Sequence, residues 1–174
     1  MKKYLKSILS LVSICAVVAV MLAITNAVTA PIIEKAEAKK TQEALRKVLP
    51  LGENFESVDA ASYDLPDTVV EVYRETAGAG YVFKLKTKGY STGFLILCGV
   101  NADGTVGGAL TLSSGETLGY EKTFGEKFKD KSISAVENID AVSGATKTTA
   151  AYKNAVLDAL CAAEKMKGAE SNET

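Results

Sequence analysis

Residues 93–112 read GFLILCGVNADGTVGGALTL, and this stretch decides the class of fold. The nearly all-apolar run Gly93–Val100 leads into Asn101-Ala102-Asp103-Gly104 and then into Thr105–Leu112. A short continuous apolar run suits a strand covered on both faces. Asp-Gly supplies positive φ at little steric cost, so the two runs are expected to fold back on each other as a hairpin. Upstream, Tyr81, Phe83 and Leu85 alternate with Lys84, Lys86 and Lys88, the period of a strand with one wet face. Thr68–Glu75, rich in Val, is read as a further strand. Downstream the period changes. Tyr152, Ala155, Val156, Ala159, Leu160 and Ala163 recur at helical spacing, which predicts a helix over 149–165 whose stripe is core packing. A shorter helix is expected over 120–129. Strands followed by helices imply an α+β domain over 68–167, with a mainly antiparallel sheet and a C-terminal helix, and a polar, disordered tail over 168–174.

The N-terminus has a different character. Lys2, Lys3 and Lys6 precede a run without charge that lasts until Glu34. Leu11, Val12, Ile14, Val17, Val18, Val20, Met21, Leu22 and Ile24 give this run the apolar content and length of a transmembrane helix over 7–30. The three lysines place residues 1–6 in the cytoplasm and the rest of the chain outside the cell membrane, with residues 7–30 in contact with lipid. A cleaved signal peptide is the competing interpretation, with Thr25-Asn26-Ala27 as its cleavage site, although Pro31 would obstruct cleavage after Ala30. Both readings export the domain. Residues 31–67 are read as a stalk and loop. Glu34–Leu49 is a polar helix with a thin stripe of Ala38, Leu45, Val48 and Leu49, and residues 50–67 carry Pro50, Gly52 and Pro66 among several acids.

Composition removes several functions. The formal net charge of −1 provides no basic field for nucleic acid. His is absent, which removes the usual general base and metal ligand. The cysteines, Cys15, Cys98 and Cys161, form no CxxC pair, so neither a metal centre nor an iron–sulfur cluster is expected. Cys98 and Cys161 are left as a disulfide or as two buried thiols.

Asp140-Ala141-Val142-Ser143-Gly144-Ala145-Thr146 stands immediately before the C-terminal helix. Gly144 and Ala145 permit close backbone approach, and amides at a helix start favour an anion. Thr146 adds a hydroxyl at that spot, Lys147 a positive charge, and Thr148 or Thr149 can cap the helix. On chemistry alone the segment suits a phosphate group or a simple capping loop.

The whole segment resembles the Asp-x-x-(Ser/Thr)-Gly-Ala-Thr signature of proteins that a flavin transferase modifies with FMN. At average composition, agreement at all five positions is expected by chance in fewer than roughly one chain in a thousand. The resemblance implies that Thr146 is the acceptor. A separate Mg-dependent transferase would cut FAD and leave FMN joined to the Thr146 oxygen through its phosphate. Asp140, Ser143, Gly144, Ala145, Lys147 and Thr148 would form the surrounding flavinylation segment. Gly89-Tyr90 resembles the start of an FMN-binding domain, and Glu116-Thr117-Leu118-Gly119 is similar to a Glu-Thr-Pro-Gly segment of that family, with Leu118 in place of Pro. Glu116 and Thr117 are thereby candidate cofactor contacts or an ordinary polar turn, and Tyr90 and Tyr120 are candidate ring contacts or core.

Thr25-Asn26-Ala27-Val28-Thr29-Ala30-Pro31 resembles the end of the anchor in G subunits of Rnf-type ion-translocating oxidoreductases. That likeness implies an electron-relay subunit of a translocase moving electrons between ferredoxin and NAD, packed against the other membrane subunits. The C subunit of Na⁺-translocating NADH:quinone oxidoreductase and a stand-alone exported flavoprotein share the motif. A pilin-like structural subunit and a non-redox extracytoplasmic ligand-binding module are the alternatives outside redox chemistry.

Overall fold

The computed structural model describes residues 2–90, 93–115, 119 and 121–172, and the side chains of all of these except 2–10, 13, 27, 28, 30–38, 40 and 170–172. The chain divides into two compact units, Met1–Thr41 and Gln42–Thr174.

The first unit is built by helix α1, Lys2–Val48, which continues into the second. Separate anchor and stalk helices were expected, yet α1 is unbroken through Pro31. Ala, Glu, Lys and Leu dominate 34–48 and are strong helix formers, with no glycine before Gly52 to stop them. Leu11, Val12, Ile14, Val17, Val18, Val20, Met21, Leu22 and Ile24 are all at least half exposed. Among the described residues no helix is long and apolar enough to cross a membrane. Side chains of residues 7–10, 13, 27, 28 and 30 of the expected anchor lie outside that set.

In the second unit five strands form an antiparallel meander in chain order: β1 Phe55–Val58, β2 Val69–Glu75, β3 Gly80–Thr87, β4 Phe94–Asn101 and β5 Val106–Ser113. The expected hairpin is β4–β5. Only Gly104 in its turn takes a left-handed φ, +85°. Asp103 instead accepts bonds from the Thr105 amide at 2.8 Å and the Thr105 hydroxyl at 2.6 Å. β1 lies within the region read as loop. It is short, and of its residues only Phe55 is buried, so no alternation marks it.

Both faces of the sheet are covered in part. Phe83, Leu85, Phe94, Ile96 and Cys98 point to one face, where α4, Thr146–Asn172, brings Tyr152, Val156, Ala159, Leu160 and Ala163 into the core. With Ala155 these helix residues are the expected stripe, each 1% exposed or less. The helix begins at 146, not 149, and runs past Lys165 to Asn172, so residues 168–172 of the expected disordered tail are its last turns. Between sheet and α4 come α2, Glu121–Phe124, a 3₁₀ turn, Gly125–Phe128, and α3, Ile133–Glu137, which carries too short a pattern to be read from sequence. Tyr152 is ringed by Phe94, Phe124 and Phe128 at centroid distances of 5.7, 5.8 and 5.6 Å.

The opposite face carries Val82 and Leu97, so the β3 face expected to be wet is partly dry. Leu45, Val48 and Leu49 cover it, which makes the end of the expected stalk part of the core. Gly99, Gly107 and Gly108 form the seat. A Cβ on Gly99 would stand 2.2 Å from the Val48 carbonyl oxygen, and one on Gly107 2.7 Å from the same atom. Among the described cysteines no disulfide exists: Cys98 is buried, which pushes its thiol up to about 12, while Cys161 is exposed.

Candidate functional site

α4 runs along the sheet in a direction that gathers the singled-out segments at one end. Lys167, near its C-terminus, donates to the Ala102 carbonyl at 2.6 Å in the β4–β5 turn. Tyr152, near its N-terminus, meets Phe94 at the other end of β4. Phe94 pairs with Thr87, and Leu95 with Ser113. The loops after Thr87 and after Ser113 therefore open at the end of the sheet where α4 starts. Tyr90 lies in the first of these and is 74% exposed, which rules it out as core. Glu116, Thr117, Leu118 and Tyr120, in the second, lie outside the described residues.

The Asp140–Thr146 segment is a turn locked onto the first turn of α4. The Ala145 amide donates to the Val142 carbonyl at 3.0 Å, closing a β-turn with Gly144 at φ +84° in its third position. A positive φ there is the mark of a type II turn and favours glycine. The Ala145 carbonyl accepts the first helical bond, from the Thr149 amide at 3.0 Å. Ala145 is thus the residue that precedes the helix, and neither Thr148 nor Thr149 caps it as expected. The Thr146 and Lys147 amides stand ahead of that first rung, the position where a helix attracts an anion.

Burial sorts the segment into an outward set and an inward set. Asp140, Ser143, Gly144, Thr146 and Lys147 are exposed, while Ala145, Thr148 and Thr149 are buried. The Thr146 hydroxyl lies at the surface, 3.5 Å from the Val142 carbonyl oxygen. Two residues the sequence reading did not assign to the site hold the segment from behind. Thr149 Oγ1 accepts from the Val142 amide at 3.1 Å and donates to the Ala145 carbonyl at 2.9 Å. One turn on, Lys153 Nζ donates to the Ile139 and Glu137 carbonyls at 3.3 and 3.4 Å. Their signal was the spacing of residues 146, 149 and 153, which share one face of a helix.

Among the described residues, two buried polar side chains carry oxygens without a hydrogen-bond partner. Glu121, 2% exposed, receives the Ser114 hydroxyl on Oε1 at 2.8 Å, whereas its Oε2 has no partner. The Tyr152 hydroxyl is likewise unpartnered, and burial raises its pKa. Among the described residues no group of acids and cysteines is placed to hold a metal ion.

The arrangement fits an FMN phosphate: an exposed hydroxyl on a glycine turn, two amides beside it and a lysine next in sequence. Comparison with known proteins points to the same cofactor. The family model of the FMN-binding domain matches residues 89–161, which span the Tyr90 loop, the Glu116 segment and the whole Thr146 motif. The chain is similar to the G subunit of the Na⁺-translocating ferredoxin:NAD⁺ oxidoreductase complex of Acetobacterium woodii, 33% identical over 151 residues, which cover 77% of this chain and 72% of that one. It is also similar to the G subunit of an ion-translocating oxidoreductase complex of Methanosarcina acetivorans, 29% identical over 176 residues, covering 91% and 92% of the two chains. With the motif at the start of α4 and likeness over most of both relatives, the chain belongs to the family of G subunits of Rnf-type ion-translocating oxidoreductase complexes.

Proposed function

We propose that this chain is an electron-relay subunit of a membrane-bound ion-translocating oxidoreductase, carrying FMN through a phosphoester on Thr146. The observation that carries this reading is the exposure of the Thr146 hydroxyl on a turn whose backbone is fixed from behind, at a helix start suited to a phosphate. Bound FMN would supply one- and two-electron redox chemistry, which the side chains here do not possess. The chain's own task is to hold and orient. Ser143, Gly144 and Ala145 leave room beside the acceptor, the Thr146 and Lys147 amides face the phosphate, and Lys147 offsets its charge. Glu116 and Thr117 are the proposed contacts from the second loop.

Attachment is group transfer from FAD by a flavin transferase. Thr146 Oγ1 bonds to the phosphorus of the FMN half, the pyrophosphate P–O bond breaks, and AMP leaves with its electron pair. The hydroxyl proton passes to the transferase. A covalent tether suits a domain outside the cytoplasm, where released FMN would be lost. Residues 7–30 are the proposed single-pass anchor in the cell membrane, with the N-terminus cytoplasmic and the helix packed against other subunits of the complex. The nine large exposed apolar side chains from Leu11 to Ile24 support this, since such a surface seeks lipid or a partner. Thr25 returns its hydroxyl to the Met21 carbonyl at 2.9 Å, which satisfies it without water.

Co-expression with a flavin transferase, followed by a denaturing gel viewed under ultraviolet light, tests the linkage. The chain should fluoresce and Thr146→Val should be dark. A dark parent band beside a labelled control substrate would sink the covalent reading. Membrane fractionation tests the anchor: the full chain should sediment with membranes and resist alkaline carbonate.

A further inference from the structure

Thr149 makes more bonds than a helical threonine needs. Such a residue commonly returns its hydroxyl to the carbonyl four residues back, as Thr149 does with Ala145 at 2.9 Å. The same oxygen also accepts the Val142 amide at 3.1 Å, across the whole motif turn, and the side chain is 1% exposed. Val142 is thereby held at its amide. Its carbonyl accepts the Ala145 amide at 3.0 Å and faces the Thr146 hydroxyl at 3.5 Å. One buried hydroxyl thus fixes the residue whose carbonyl confronts the acceptor oxygen.

We infer that Thr149 is a positioning residue for FMN transfer, acting through Val142 on the Thr146 hydroxyl; this rests on the reading of Thr146 as acceptor. With its hydrogen directed at the Val142 carbonyl, Thr146 Oγ1 turns its lone pairs outward, toward the phosphorus of an incoming FAD pyrophosphate. The new O–P bond, the departing AMP and the proton lost to the transferase are those of the reaction above; Thr149 touches none of them. Its contribution is to remove alternative settings of the turn before the transferase arrives. A misplacement of about 1 Å at a reacting atom is enough to cost about a hundredfold in rate.

The test uses the full chain in detergent with purified flavin transferase, FAD and Mg²⁺, reading initial rates of covalent labelling. Thr149→Val keeps the shape and removes the hydroxyl, and is expected to lower kcat about tenfold or more with little change in KM for the chain. Thr149→Ser keeps the hydroxyl and should restore the rate to within about twofold. Hydrogen exchange at the Val142 amide should speed up in Thr149→Val and not in Thr149→Ser. Thr149→Ala, with no methyl to misplace, replaces the valine variant if circular dichroism shows the latter unfolded. A folded valine or alanine variant labelled at the parental rate overturns the inference, and so does a serine variant as slow as valine. A parent chain that takes no flavin overturns the Thr146 reading itself, and this inference with it.

Discussion

At Gly99 a single hydrogen in place of a methyl decides whether the sheet can accept the end of α1. A Cβ there would lie 2.2 Å from a backbone oxygen that has no freedom to swing away. Gly99→Ala is expected to destabilise the domain by about 3 kcal/mol, measured by urea unfolding, through overpacking. Gly78 and Gly104 meet nothing within 4 Å, so they show no comparable steric demand. Glu75 is another residue with a large local role. Buried at the end of β2, it accepts from the Ala77 amide at 2.7 Å and the Ala79 amide at 3.0 Å, and from that of Glu53 at 3.4 Å. The Ala79 bond first, with those of Glu53 and Ala77, holds its carboxyl below the 4.5 usual for glutamate. The folded value is the lower one, so the stabilisation is present above 4.5 and is lost as pH falls through the folded value. Glu75→Gln should therefore be less stable than the parent at neutral pH, and the two should converge on acidification. Thermal melts stepped from neutral pH into the acid range check this; parallel curves would dismiss it.

Among the elements, those with a long regular pattern were legible. The stripe from Tyr152 to Ala163 and the alternation from Tyr81 to Leu85 repeat their period often enough to declare helix and strand before any packing is known. β1 and α3 were not, because neither is long enough to show a period, and each exists by virtue of its neighbour: β1 by pairing with β2, α3 by lying on α4. The start of α4 was misplaced by one turn for a related reason. Thr146, Thr148 and Thr149 all resemble capping residues in sequence. Only the folded turn shows that Ala145 takes the place before the helix and that Thr149 faces inward. Thr146, the proposed acceptor, could be singled out from the motif. The clamp behind it could not, because it depends on side-chain direction and not on residue type. The rates expected for Thr149→Val and Thr149→Ser belong to this scale, since they test one helical turn acting on the loop before it.

For the molecule as a whole, the α+β class and the family were legible, whereas the role of the end of α1 was not. The sequence reads the first part of α1 as an anchor and the remainder as a stalk, but its last turn belongs to the folded domain. Leu45, Val48 and Leu49 gave too thin a stripe to be distinguished from a stalk, and the three glycines opposite them have no side chains to announce a docking surface. That seat dictates where the chain can be severed. A chain begun at Gln42 keeps its own plug and is expected to stay in solution, monodisperse, and to be labelled by the transferase to the same extent as the full chain. A chain begun only ten residues later, at Gly52, leaves Val82 and Leu97 bare and is expected to aggregate. Size-exclusion profiles of the two would separate a domain that keeps its floor from one deprived of part of it.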